Sequence, residues 1–238
     1  MPPRNSKATP GTTPDAASVV ARLRALATQA TLDGMSRYGL PSEKALGVSI
    51  ADIQKLAKQL GHDHALAEGL WKTDIYEARL LCAFVDDPAL VTAAQMDRWC
   101  RDFDNWGIVD TLCFKLFDQA PDRWKMIPKW CARKPEFERR AGFAMIACLA
   151  AHDKKATDAQ FLECLPLIEK HATDERNFVK KGVSWALRMV GRRNAALGRS
   201  AMELAEELAG SDNATERWIG KDVVRDLVKA GGRKSGRS

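Results

Sequence analysis

The chain has 238 residues, 45% of them apolar, and a formal net charge of +6. That length supports one sizeable core or a short array of stacked helical units, and the apolar fraction is that of a globular protein. No apolar run approaches the roughly 18 residues of a membrane span, so no spanning helix is expected.

Residues 1–14 carry basic side chains but no apolar stretch of the signal-peptide kind, and are expected to be a disordered lead-in. Residues 15–230 read as one helical domain, and residues 231–238 as a flexible basic tail. From about residue 15 the apolar side chains recur with a 3.6-residue period, and no sustained alternation of the strand type is present. Breaks at Gly39-Leu40-Pro41, Gly61, Asp87-Pro88, Pro121, Lys134-Pro135 and Gly210 divide the chain into about a dozen helices. The six cysteines (82, 100, 113, 131, 148 and 164) stand singly in apolar stretches. That pattern suits buried free thiols of a cytoplasmic protein, not a zinc site or a disulfide framework.

Charge is unevenly placed. Residues 63–118 hold 11 acidic and 5 basic side chains, whereas 119–238 hold 16 and 24. Between Arg176 and Ser200 there are seven basic residues and no acid. Such a block favours a polyanionic partner through counterion release, although a solvated helix surface has the same composition.

Five segments look alike: 75–85, 106–117, 137–149, 178–190 and 217–228. Each is an apolar helix with an early charged residue. Arg79, Asp110, Arg140, Lys181 and Lys221 fall in register at intervals of 31, 30, 41 and 40 residues. Those intervals fit two-helix repeats that stack into a solenoid; an irregular helical bundle is the alternative. In a solenoid these second helices line the concave face, which would then show a basic ladder interrupted by Asp110.

Two clusters carry chemical potential. Trp106 and Asp110, four residues apart, share a helix face. A structural Trp beside an exposed Asp is the more ordinary explanation of them. Lys181, Trp185, Arg188 and Arg192 form one stripe, with Lys180 beside it, an arrangement suited to phosphates with an aromatic against sugar or base. No nucleophile motif or phosphate-binding glycine loop is present, and His62-Asp63-His64 lacks further ligands for a metal. Tyr38, near a helix end, reads by itself as a core or capping aromatic.

The segments MSRYGL, ALGVSIADIQKLAK, DNWGIVD, FERRAGFAM and NFVKKGVSWALR, in this order, resemble the AlkD-type DNA alkylation repair glycosylases over roughly residues 30–230. The resemblance implies an all-α HEAT-like solenoid with a basic concave face that cradles double-stranded DNA. It also implies excision of positively charged alkylated purines, without a base-flipping pocket, by a monomer that needs no metal or cofactor. The catalytic Asp of that family falls on Asp110, its Trp partners on Trp106 and Trp185, and its Arg on Arg140, with Arg139 a weaker match. Tyr38 falls on its N-terminal tyrosine. Arg139, Lys180, Lys181, Arg188, Arg192 and Lys221 are expected to contact DNA. Gly107 departs from the polar residue often found after the first Trp. The rival readings are a HEAT-repeat protein that binds distorted or branched DNA without cleavage, and a scaffold for protein partners.

Overall fold

Many of the helices begin where a short polar side chain satisfies a backbone N–H left open at the first turn. In the computed structural model, which describes residues 14–37, 39–40 and 43–235, Asp15, Thr28, Ser49, Asp63, Thr92, Asn105 and Asn194 all accept such bonds. The helices, in chain order, are α1 (Ala16–Leu26), α2 (Gln29–Ser36), α3 (Ile50–Leu60), α4 (His64–Trp71), α5 (Tyr76–Val85), α6 (Ala93–Arg101) and α7 (Trp106–Lys115). There follow α8 (Arg123–Cys131), α9 (Glu136–His152), α10 (Asp158–Leu162), α11 (Leu165–Lys170), α12 (Asn177–Arg193), α13 (Ala195–Ala209) and α14 (Ala214–Ser235). No strand is present among the described residues. Helix α14 runs into the segment expected as a tail. Tyr38 and nearly all of the expected lead-in lie outside the described residues.

The five look-alike segments are α5, α7, α9, α12 and α14. They pack in that order, α5 on α7, α7 on α9, α9 on α12 and α12 on α14, while α4, α8 and α13 back α5, α9 and α14. The stacked-pair organisation read from the repeat register is therefore the observed one. The pair that includes α12 departs from regularity, because residues 158–170 form two short helices in place of one long one.

Aromatic side chains tie successive pairs together. Trp71 of α4 stacks on Trp99 of α6, with ring centroids 4.3 Å apart and planes at 4°. Trp99 meets Phe117 at 6.2 Å, and Phe117 meets Trp130 of α8 at 5.9 Å. These rings are buried, so the row joins three repeats through one continuous core. All six cysteines are buried free thiols that burial holds well above the usual thiol range.

Candidate nucleic-acid interface

Helix α7 opens on Asn105, whose side chain caps Ile108 N at 3.0 Å. Asp110 follows one turn later. Across from it on α9, Arg140 donates from Nε to Asp110 Oδ1 at 2.9 Å and from Nη2 to Oδ2 at 2.7 Å. Its remaining Nη1 donates to the Phe178 carbonyl of α12 at 2.7 Å. The guanidinium is thus bonded to both neighbouring helices and is nearly buried. Asp110 keeps 24% side-chain exposure. Burial pushes its carboxyl above the usual carboxylate range, and the charge and hydrogen bonds of Arg140 pull the other way.

A cleft of about 470 Å³ opens over this pair, lined by Asp110, Arg140, Lys181, Ser184, Trp185, Arg188, Trp218 and Asp222. Four consecutive helices of the look-alike set, α7, α9, α12 and α14, contribute to it. Of the residues singled out in the sequence, Asp110, Arg140, Lys181, Trp185 and Arg188 come together here. Trp106, half-buried at the start of α7, does not line the cleft.

The expected basic ladder has a different make-up. Arg79 is buried, ion-paired to Asp74 at 2.8 Å, with its guanidinium 4.8 Å from the Trp71 ring centroid. Arg140 belongs to Asp110. Arg139 donates to Asp174 at 2.6 Å and to the Arg133 carbonyl at 2.8 Å, so it braces the loop before α12. Arg192 forms a two-pronged pair with Asp226 of α14. Arg188 lies 3.6 Å from Asp222 and 4.0 Å from Asp226. Lys180 sits over Trp218 at 4.8 Å. Lys181 and Lys221, by contrast, are exposed and have no ion pair among the described residues. Most of the arginines fail to remain free because α14 and the interhelix loops bring carboxylates to them, which the charge block on α12 alone does not reveal.

Trp218 and Asp222 were not singled out in the sequence, although 218–222 repeats the W-x-x-x-D spacing of 106–110. That repeated spacing on one of the look-alike helices was the available signal. The glycine at 107 also has a structural reason. A Cβ there would stand 2.6 Å from the Tyr76 hydroxyl and 3.0 Å from Leu40, so α7 meets α5 where no side chain fits. His62, Asp63 and His64 serve the fold: both imidazoles contact Asp86, at 2.8 and 2.7 Å, and Asp63 caps α4.

Comparison with known proteins agrees with this architecture. The model of a family described as DNA alkylation repair enzyme matches residues 19–222. One solved structure, from a family related to the HEAT-like repeat DNA glycosylases with affinity for branched DNA structures, superposes with a TM-score of 0.73. The match covers 89% of this chain and 94% of the other at 21% identity, and establishes a shared HEAT-like fold. The curated proteins give no match.

Proposed function

The chain belongs to the DNA alkylation repair enzyme family, and on that premise we propose that it is a DNA glycosylase for cationic alkylated purines. Its substrates would be 3-methyladenine and 7-methylguanine in double-stranded DNA. The observation that carries this reading is Asp110, a carboxylate locked by Arg140 in the lining of a cleft that also presents Trp185 and Lys181.

A purine alkylated at N3 or N7 already bears positive charge. When its C1′–N bond breaks, the bonding pair neutralises the base, so no general acid is required. One carboxylate therefore suffices where most glycosidases use two. Positive charge develops on the deoxyribose, and a fixed anion beside it lowers the barrier. Each Asp110 oxygen accepts one bond from Arg140 and retains a lone pair for a water. That water adds its oxygen to C1′ and gives its proton to Asp110 or to solvent. Trp185 offers a π-face to the sugar as charge develops. Of the residues expected to contact DNA, Lys181 and Lys221 are free for phosphates, and recognition through phosphates needs no pocket for the alkylated base itself.

Binding without cleavage is the second reading, and one observation favours it: the structural relative comes from a family with affinity for branched DNA. Mass spectrometry of bases released from methylated duplex decides between them. Wild type releases 7-methylguanine or 3-methyladenine, and Asp110→Asn binds the duplex but releases neither. Equal release by the two proteins overturns the mechanism, and no release by either favours binding alone.

A further inference from the structure

Trp218 is a large aromatic side chain left 40% exposed, and it lines the cleft that holds Asp110. A ring that only filled core space would be covered. Lys180 places its ammonium 4.8 Å from the ring centroid and does not itself line the cleft, so it orders the indole from outside. Asp222, one turn further along α14, lines the same cleft. Its Oδ2 accepts the Ser184 hydroxyl at 2.7 Å, and its Oδ1 pairs with Arg225.

The presentation of this pair is built into the helix. A Cβ at Gly220 would lie 2.2 Å from Ala209 N and 2.5 Å from the Ala205 carbonyl, so α14 rests on the backbone of α13 at that point. Gly220 is two residues, or roughly 200° around the helix, from both Trp218 and Asp222. The glycine contact therefore fixes the rotation of α14 and turns Trp218 and Asp222 towards α12 and the cleft.

We propose that Trp218 and Asp222 form a second subsite that takes an unpaired nucleobase next to the position served by Asp110. Trp218 and Asp222 bring no cation of their own, and Arg188 and Arg225 already lie against the carboxylate, so the pair suits a base better than a phosphate. An exposed indole stacks a base only when that base has left its own stack. Asp222 still has unused lone pairs, and these accept from an exocyclic amino group, which cytosine and adenine carry and thymine lacks. The subsite rests on the DNA-binding part of the proposed function and not on the cleavage step.

The test measures affinity, by fluorescence anisotropy, for three otherwise identical duplexes. One is fully paired, and the others hold an orphan cytosine or an orphan thymine opposite a tetrahydrofuran abasic-site analogue. Wild type binds the orphan-cytosine duplex roughly tenfold more tightly than the paired one, the size expected for one stacked base. Trp218→Ala removes that gain while keeping affinity for the paired duplex, and Trp218→Phe retains most of it. Asp222→Asn keeps the gain but no longer separates cytosine from thymine. Urea midpoints confirm that each variant is folded. The proposal is overturned if wild type shows no gain, if Trp218→Ala keeps it, or if that variant weakens all three duplexes equally. A wild-type protein that shows the gain yet releases no alkylated base overturns the glycosylase reading alone.

Discussion

Arg140 holds both carboxylate oxygens of Asp110 while its third nitrogen donates to the Phe178 carbonyl, so one guanidinium ties three successive repeat helices together. The fork aligns the carboxylate, and its charge and hydrogen bonds oppose the larger upward push of burial on the carboxyl.

Arg140→Ala leaves Asp110 half-buried without its counter-charge and the Phe178 carbonyl without its donor. A stability loss of about 3 kcal/mol is expected, measurable by urea denaturation. The Asp110 carboxyl, already raised by burial, rises further. Because the proposed chemistry needs the carboxylate, the acid limb of the excision profile moves to higher pH. Arg140→Lys shifts it less, since an ammonium restores charge without the fork. An unmoved acid limb in Arg140→Ala would separate Asp110 from the reaction.

Lys181 and Arg192 lie on the same helix but differ in their partners. Lys181→Ala is expected to weaken duplex binding several-fold and to lower the slope of log affinity against log salt by about one. Arg192→Ala changes affinity less, because Asp226 already holds that guanidinium. Asp226→Asn releases it and steepens the slope. Titrations between 50 and 200 mM salt, roughly the range over which phosphate contacts are felt, compare the three variants.

Gly107→Ala drives a methyl group into the Tyr76 hydroxyl and Leu40. Tyr76 is buried, so the ring has little room to retreat. Overpacking of this kind costs about 1–3 kcal/mol, and it displaces the α7 turn that carries Trp106. Adding Tyr76→Phe removes the oxygen at closest approach and is expected to recover part of the thermal midpoint. No recovery would assign the cost to Leu40 instead.

Asp174 accepts from Arg139 and from Arg176, and these hold its carboxyl down at about 2, from the ordinary 3.8. A folded-state value below the unfolded one stabilises the fold fully above about pH 4 and loses that contribution as pH falls towards 2. Allowing for solvent around the arginines, the contribution is on the order of 1 kcal/mol. Asp174→Asn flattens this part of the acid unfolding curve, read by circular dichroism between pH 5 and 2, the window given by those two values. An unchanged acid limb would rule out the assignment.

The repeat architecture was legible because each inner helix repeats the same periodic pattern, with a charge at its start, every 30 to 41 residues. Segments chosen on that basis are α5, α7, α9, α12 and α14. The short helices α10 and α11 were not legible, since five and six residues show too little of a period to read. Between Arg139 and Arg140 the resemblance favoured the second, and the structure joins Arg140 to Asp110 and Arg139 to Asp174. Neighbouring residues on a helix point roughly 100° apart, so they meet different partners.

The sequence by itself pointed to the longer helices, their stacking order and the family, because these follow from periodicity and from motif order along one chain. Tertiary structure alone decided which charges remain available. Arg79 and Arg140 of the expected ladder, and Arg188 and Arg192 of the stripe on α12, each meet a carboxylate. For Arg140, Arg188 and Arg192 that carboxylate lies 30 to 38 residues away. Whether a cation is free or paired depends on the helix packed beside it, and no single segment contains that information.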